Sequence, residues 1–208
     1  MVEADGARPI VNIVGERVAL GPLRRELLPL HERWINDFAT MRNIGAVPRP
    51  MTAEQEAAWL DQQAGADGQI VFTIYAVAGW RPLGTTALHA VDYRDRTATF
   101  GIMIGEPDAR GQGYGTEVTR LMLDYAFTAL GLHSVMLTVF AYNQAGLRAY
   151  ARAGFKEFGR RRESRLAGGR LWDTVYMDCL ASEFVSPVLG RVFAPDAPRP
   201  GGEGGERA

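Results

Sequence analysis

Apolar and β-branched runs alternate along this chain with amphipathic stretches, and segments rich in glycine, proline or aspartate separate them. Extended runs predict strands at residues 17–23, 70–77, 83–91, 97–104 and 135–139, with a closing hairpin at 155–165 and 171–177. Apolar residues on a helical period predict helices at residues 26–38, 52–64, 117–130 and 144–152. This order predicts an α+β fold with a mixed sheet rather than a doubly wound dinucleotide-binding fold.

The domain organisation follows from length and local composition. The chain has 208 residues, which suits one domain of ordinary size with a sizeable core. We expect a flexible lead-in over residues 1–13, a single domain over residues 14–185 and a disordered tail over residues 186–208. Proline and glycine dominate that tail, and it retains too few apolar residues to form a core.

Charge and cysteine content narrow the function. The net charge is −1, so no overall basic field suggests a nucleic-acid partner. Cys179 is the only cysteine, which excludes an internal disulfide and a cysteine-cluster metal site, and we expect no metal. No run approaches the ~18–20 apolar residues needed to span a membrane, and the N-terminus lacks an apolar signal core. We therefore expect a soluble cytoplasmic protein without a membrane partner.

A glycine-rich loop between the predicted strand 97–104 and the predicted helix 117–130 is the strongest chemical signal. Glycines let the backbone approach a phosphate closely, and the first N–H groups of a helix point at the phosphate oxygens. A P-loop would need a lysine here, and a dinucleotide loop would follow the first strand of a parallel sheet. The candidate ligand-binding residues of the loop are Arg110, Gly111, Gln112, Gly113, Tyr114, Gly115 and Thr116.

The pattern Arg110-x-x-Gly113-x-Gly115 resembles the signature of the GNAT acetyltransferases. The resemblance extends to Asn143, to Tyr150 and to the Gly-Phe pair that follows. It implies a mixed, mostly antiparallel central sheet flanked by helices and splayed between the fourth and fifth predicted strands. The phrases Trp-Ile-Asn-Asp at residues 34–37 and Trp-Asp at residues 172–173 resemble the branch that includes ribosomal-protein N-terminal acetyltransferases.

The resemblance also implies a donor and an acceptor. Acetyl-CoA would be the co-substrate, with its pantetheine arm along Met103, Ile104 and Gly105 and its pyrophosphate in the glycine loop. Asn143 would bind the coenzyme, cap the following helix, or do both. The acceptor would be a primary amine of a small molecule or of a protein N-terminus, and a homodimer is possible by analogy with the family.

Acceptor chemistry is less completely specified. The resemblance makes Tyr150 the acid that protonates the leaving thiolate. Thr99 occupies the position at which many relatives carry a glutamate base, so His89 or a chain of waters is expected to take the proton from the amine. Trp34 and Asp37 are expected to border the acceptor. The missing glutamate leaves open a catalytically silent acyl-CoA-binding or sensing module. Transfer of a different acyl group is also open, because the glycine spacing concerns only the pyrophosphate end of the donor.

Overall fold

The structure is a computed structural model that describes residues 8–64 and 67–196. Its strands are β1 Ile13–Val14, β2 Val18–Pro22, β3 Ile70–Ala76, β4 Pro82–Asp92, β5 Thr97–Ile104, β6 Ser134–Phe140, β7 Lys156–Ala167 and β8 Arg170–Leu180. Its α-helices are α1 Leu28–Asn36, α2 Phe38–Met41, α3 Ala53–Ala64, α4 Tyr114–Asp124, α5 Gln144–Ala153 and α6 Leu189–Val192. One sheet holds the eight strands in the order β1-β2-β3-β4-β5-β6-β8-β7.

The sheet opens between β5 and β6. Every other neighbouring pair of strands is antiparallel, whereas β5 and β6 are parallel. They pair only over Thr97–Thr99 and Ser134–Met136, although β5 continues to Ile104 and β6 to Phe140. The predicted α+β fold, its mostly antiparallel sheet and its splay between the strands at 97–104 and 135–139 are therefore confirmed.

The main core lies between α4 and the sheet. Val118 and Met122 on α4 are fully buried, as are Leu20, Ile74 and Leu88 on the strands. Each such side chain contributes about 1.5–3 kcal/mol through removal of its apolar surface from water. The amphipathic stripe predicted for this helix is therefore the face that packs on the sheet. It holds the helix that follows the glycine loop against β5.

The helix predicted at residues 26–38 is broken in two. A short 3-10 turn precedes α1, and Asp37 then leaves helical geometry and caps α2. The Asp37 carboxylate accepts hydrogen bonds from the N–H groups of Ala39 and Thr40 at 3.0 and 3.1 Å. An aspartate satisfies free N–H groups best at the start of a helix, so it favours a new start over continuation. The break turns α2 toward the end of β5.

Both predicted terminal segments are partly ordered. Ile13 is buried in β1, and α6 lies within the tail predicted to be disordered. The buried Asp124 carboxylate accepts hydrogen bonds from the N–H groups of Val188 and Leu189 at 2.9 and 2.8 Å, and Leu189 joins the core. A buried acid at the end of α4 thus holds residues 188 and 189, which lie within the predicted tail. Residues 1–7 and 197–208 lie outside the described residues.

Candidate functional site

A groove of about 330 Å³ runs along the open edge of β5, past the glycine loop and α5. We call it the loop groove. The predicted coenzyme residues that line it are Met103, Ile104, Arg110, Gly111, Gly113, Gly115, Thr116 and Asn143, together with the predicted acid Tyr150. The structure thus brings together residues from β5, the loop and α5 that lie up to 47 positions apart in sequence.

The loop backbone has the geometry of an anion cradle. Gly111 and Gly113 have φ values of +74° and +87°, a left-handed conformation that strains other residues. Gly113 precedes the first turn of α4, whose leading N–H groups have no partner within the helix. Since the helix dipole adds positive potential at the same point, an anionic group in the groove would be stabilised there.

Three predicted coenzyme residues do not line the groove. The Gly105 N–H donates to the Leu83 carbonyl at 2.8 Å, so this peptide group is committed to β4. The Gln112 carbonyl accepts from the Arg17 guanidinium at 2.8 Å, and that guanidinium also covers the Tyr114 ring at 4.6 Å. The sequence pattern places Gln112 and Tyr114 in the loop but does not show that they contact Arg17.

Arg110, which the sequence predicts to contact a phosphate, bonds to other groups of the protein in the structure. Its guanidinium donates to the Ile104 and Gly105 carbonyls at 3.2 and 3.1 Å and to Thr40 Oγ1 at 2.5 Å. It lies 3.8 Å from Asp37, so its charge is largely directed toward the end of β5 and α2. Arg110 therefore joins the loop to the helices beyond β5.

Two other arginines bring positive charge to the loop groove, and sequence reasoning missed them. Arg148 and Arg152 line the groove from α5. They lie four residues apart on one face of this helix, a spacing that could have revealed them. Asn143 starts the same helix, and its Oδ1 accepts from the Gly146 N–H at 3.0 Å. Asn143 therefore caps α5 while also lining the groove, which places both of its predicted roles in one position.

A second, more apolar cavity of about 500 Å³ lies on the other side of the opened sheet. We call it the apolar cavity. It is bounded by α1, α3, the segment 43–51 and the middle of β4 and β5. Five residues line both the apolar cavity and the loop groove: Asn43, Ile44, Ile102, Met103 and Tyr150. The two spaces therefore meet at the gap between β5 and β6.

Tyr150 lies at this junction. Its ring packs against Phe100 and Phe155 with centroid separations of 6.2 Å to each. Burial raises the pKa of Tyr150 to about 12, so its hydroxyl stays protonated near neutral pH. Among the described residues, none forms a hydrogen bond with that hydroxyl. A protonated and uncommitted donor between the two spaces fits the predicted role of an acid.

His89 also lines the apolar cavity, from β4. It pairs across the sheet with Thr99, and its ring lies over Gly101, where an added Cβ would stand 3.1 Å from Nε2. Burial lowers the pKa of His89, so the imidazole is neutral and can accept a proton. Thr99 itself does not line the apolar cavity; it is the last residue of β5 that pairs with β6.

The two predicted acceptor residues lie outside the apolar cavity. Trp34 is 2% exposed and packs beneath Gly105, and its Nε1 donates to Glu106 at 2.8 Å. Asp37 caps α2, and the Thr40 hydroxyl donates to its carboxylate at 2.5 Å, which lowers the pKa of Asp37. Both residues stabilise the elements around the cavity, and neither lines its interior. Packing between distant elements decided this, and the local sequence does not show it.

Glu56 is the functional candidate that sequence reasoning missed. It is 6% exposed and lines the apolar cavity from α3, beside His31 and Trp59. Burial, helped by the nearby charge of Glu32, raises the pKa of Glu56. A signal was available, because Glu56 precedes Leu60 by one helical turn and therefore occupies the apolar face of its helix. The same helix starts with a capping box, in which Thr52 and Gln55 are bonded reciprocally.

A mostly antiparallel sheet that opens beside a glycine loop is the fold of the GNAT class. Residues 17–156 match the family model described as an acetyltransferase (GNAT) domain, and the chain belongs to that family. The predicted family is therefore confirmed. The narrower resemblance to ribosomal-protein N-terminal acetyltransferases stays a prediction.

Individual relatives act on different amines. A spermidine N(1)-acetyltransferase of Vibrio cholerae is 33% identical over 104 residues, which cover 50% of this chain and 60% of that protein. The alpha/beta-tubulin-N-acetyltransferase 9 of Homo sapiens is 28% identical over 70% of this chain and 75% of its own length. A crystal structure of the Vibrio cholerae spermidine N-acetyltransferase with CoA and spermine superposes with a TM-score of 0.75. That structure is 25% identical, and the match covers 81% of this chain and 98% of that one.

Proposed function

We propose that this protein is an acetyl-CoA-dependent N-acetyltransferase that transfers an acetyl group directly to a primary amine. The observation that carries the proposal is the meeting of two spaces at Tyr150, one with an anion cradle and one with apolar walls. A thioester bound along the open edge of β5 would present its carbonyl at this junction. The GNAT family and a structural relative that binds CoA support acetyl-CoA as the donor.

The donor half would be held by the loop groove. The pantetheine arm would lie beside Met103 and Ile104, where β5 has lost its partner strand, and the pyrophosphate would lie at the start of α4. Arg148 and Arg152 supply positive charge for the remaining phosphate. No step requires a metal, and no group of three or more metal-ligating side chains occurs among residues 8–64 and 67–196.

The reaction needs a neutral amine and a protonated leaving group. The amine nitrogen attacks the thioester carbonyl carbon, the C–N bond forms, and the C–S bond breaks with its electron pair going to sulfur. Tyr150 donates a proton to that sulfur, and the proton lost from the amine passes to His89 or to water. The products are the N-acetylated amine and free CoA. Positioned acid–base groups of this kind contribute about 10²–10⁴-fold to rate.

The acceptor is proposed to be a small-molecule amine, and the family branch suggested by residues 34–37 keeps a protein N-terminus as the second acceptor class. The apolar cavity, with a volume of about 500 Å³, suits a small molecule or a single terminal residue. A cytoplasmic location, a homodimer and the lack of a nucleic-acid partner stay predictions. No helix in the described part of the chain is long and apolar enough to cross a membrane.

The proposed activity is tested by incubating the purified protein with acetyl-CoA and a panel of amines while free thiol is followed. We expect thiol release that depends on the amine, together with an acetylated product found by mass spectrometry. Tight CoA binding without turnover of any amine would instead indicate a silent binding or sensing module. Turnover with propionyl-CoA or succinyl-CoA but not with acetyl-CoA would indicate transfer of a different acyl group.

The base is tested by His89→Gln, with His133→Gln as the control because His133 is exposed and lines neither space. If His89 takes the proton, its variant lowers kcat by about 10²-fold or more while His133→Gln has no effect. An unchanged kcat in His89→Gln would assign the proton to a chain of waters.

A further inference from the structure

Glu56 is a largely buried side chain whose carboxylate receives no hydrogen bond from the described residues. Its side chain is 8% exposed, and the residue lines the apolar cavity. Among the described residues, none donates a hydrogen bond to it, and the nearest group that could carry positive charge is His31 Nδ1 at 3.9 Å. Buried carboxylates without a donor are costly, and proteins normally pair them.

His31 does not supply that missing charge. It is 2% exposed, stacks on Trp34 at 5.4 Å and meets the edge of Trp59 at 6.5 Å. Burial lowers the pKa of His31 to about 4, so the ring is neutral at physiological pH. Both of its ring nitrogens are buried without a hydrogen-bond partner in the described chain. Glu56 and His31 thus form an unsatisfied polar pair at one side of the apolar cavity.

The rest of the cavity offers little to a charged ligand. Its walls carry the apolar side chains of Ile35, Met41, Met51, Trp59, Val71 and Leu137. The other ionisable groups on its lining are His89, the exposed Arg49 and the neutral Tyr150. Glu56 is therefore the one carboxylate that the described lining presents. Glu56 lines the apolar cavity but not the loop groove, whereas Tyr150 lines both. Glu56 therefore lies away from the junction of the two spaces.

We propose that Glu56 binds a second ammonium group of the acceptor, and that the preferred acceptor is a diamine with an apolar spacer. The reacting nitrogen lies at Tyr150, the spacer crosses the apolar walls, and the distal ammonium meets Glu56 with His31 beside it. This inference rests on the proposed function and narrows its substrate class. Spermidine would place an additional charged nitrogen against apolar walls with no partner, which carries a large desolvation cost.

The test compares ligands that differ only in the second ammonium. Linear diamines of four to eight carbons and their matched monoamines are titrated calorimetrically into the protein saturated with CoA, so that binding is measured without turnover. We expect wild type to prefer the diamine by about 10–100-fold in Kd at the best length, since hydrogen bonds to charged groups are worth that much. Spermidine is expected to bind at least tenfold more weakly than that diamine.

Glu56→Gln removes the charge and keeps the shape of the side chain. We expect it to abolish the preference for the diamine while the Kd for the monoamine and for CoA stays unchanged. The control is Glu54→Gln on the same helix, because Glu54 is exposed and lines neither space. Glu54→Gln is expected to keep the full preference, and unchanged CoA binding shows that each variant is folded.

Three results would overturn the assignment of Glu56. They are a wild type without any preference for diamines, a Glu56→Gln variant that keeps the preference, and tighter binding of spermidine than of every diamine. These outcomes are separate from failure of the proposed function. Diamine binding that depends on Glu56 but leads to no thiol release with acetyl-CoA would refute the acetyltransferase activity and leave the binding site in place.

Discussion

Tyr150→Phe gives the most direct test of the junction between the two spaces. The substitution removes one oxygen and keeps the ring that packs against Phe100 and Phe155. In the described chain the hydroxyl bonds to no other residue, so its removal leaves no protein group without a partner. We therefore expect the free energy of unfolding to change by less than about 1 kcal/mol.

The catalytic effect should be far larger. If Tyr150 protonates the leaving thiolate, its loss removes a positioned acid worth about 10²–10⁴-fold in kcat, which equals about 3–5 kcal/mol of barrier. The pH dependence of kcat in the wild-type protein provides a second test of this role. Because burial raises the pKa of Tyr150 to about 12, the acid stays protonated, and kcat should not begin to fall until above about pH 10.

The assay is steady-state thiol release with the best amine from the panel, together with calorimetric titration of CoA. We expect a large fall in kcat for Tyr150→Phe and a change of less than about threefold in the Kd for CoA. Tyr176→Phe is the control, because Tyr176 lies on β8 and lines neither space. A kcat for Tyr150→Phe within threefold of wild type would remove Tyr150 from proton transfer, and an equal loss in Tyr176→Phe would indicate a general effect.

Three further predictions concern the support of the site. Gly113→Ala forces a side chain into φ +87°, so we expect a stability loss of about 1–2 kcal/mol and weaker CoA binding, both measurable by thermal shift with and without CoA. Asp124→Ala removes the hydrogen-bond partner of the half-buried Val188 N–H and of the buried Leu189 N–H, and should lower the free energy of unfolding by about 2–3 kcal/mol in urea titrations. Gly105→Ala places a Cβ 2.2 Å from the Trp34 ring, so overpacking of about 1–3 kcal/mol should accompany weaker amine binding. Unchanged stability in any of these variants would contradict the corresponding contact.

The loop groove could be predicted from sequence because local geometry forms much of it. A strand, a glycine loop and a helix start are contiguous, so Gly113 and the elements around it were identified from spacing alone. The acceptor half resisted prediction because distant elements create it. Trp34 and Asp37 lie outside the lining of the apolar cavity, while Glu56 on α3 is part of it. For α1 and α2, contacts between distant elements decide which side chains reach the cavity, whereas the spacing of Glu56 and Leu60 on α3 is a local signal.

Arg110 shows how the two halves are physically joined. The residue belongs to the family signature for the coenzyme loop, yet its guanidinium bonds to Thr40 on α2 and to two carbonyls at the end of β5. Thr40 in turn donates to Asp37, the residue that breaks the predicted first helix and starts α2. The glycine loop, the end of β5 and α2 thus share one network of charge-assisted hydrogen bonds. A coenzyme that orders the loop would therefore also fix α2, whose last residue, Met41, lines the apolar cavity.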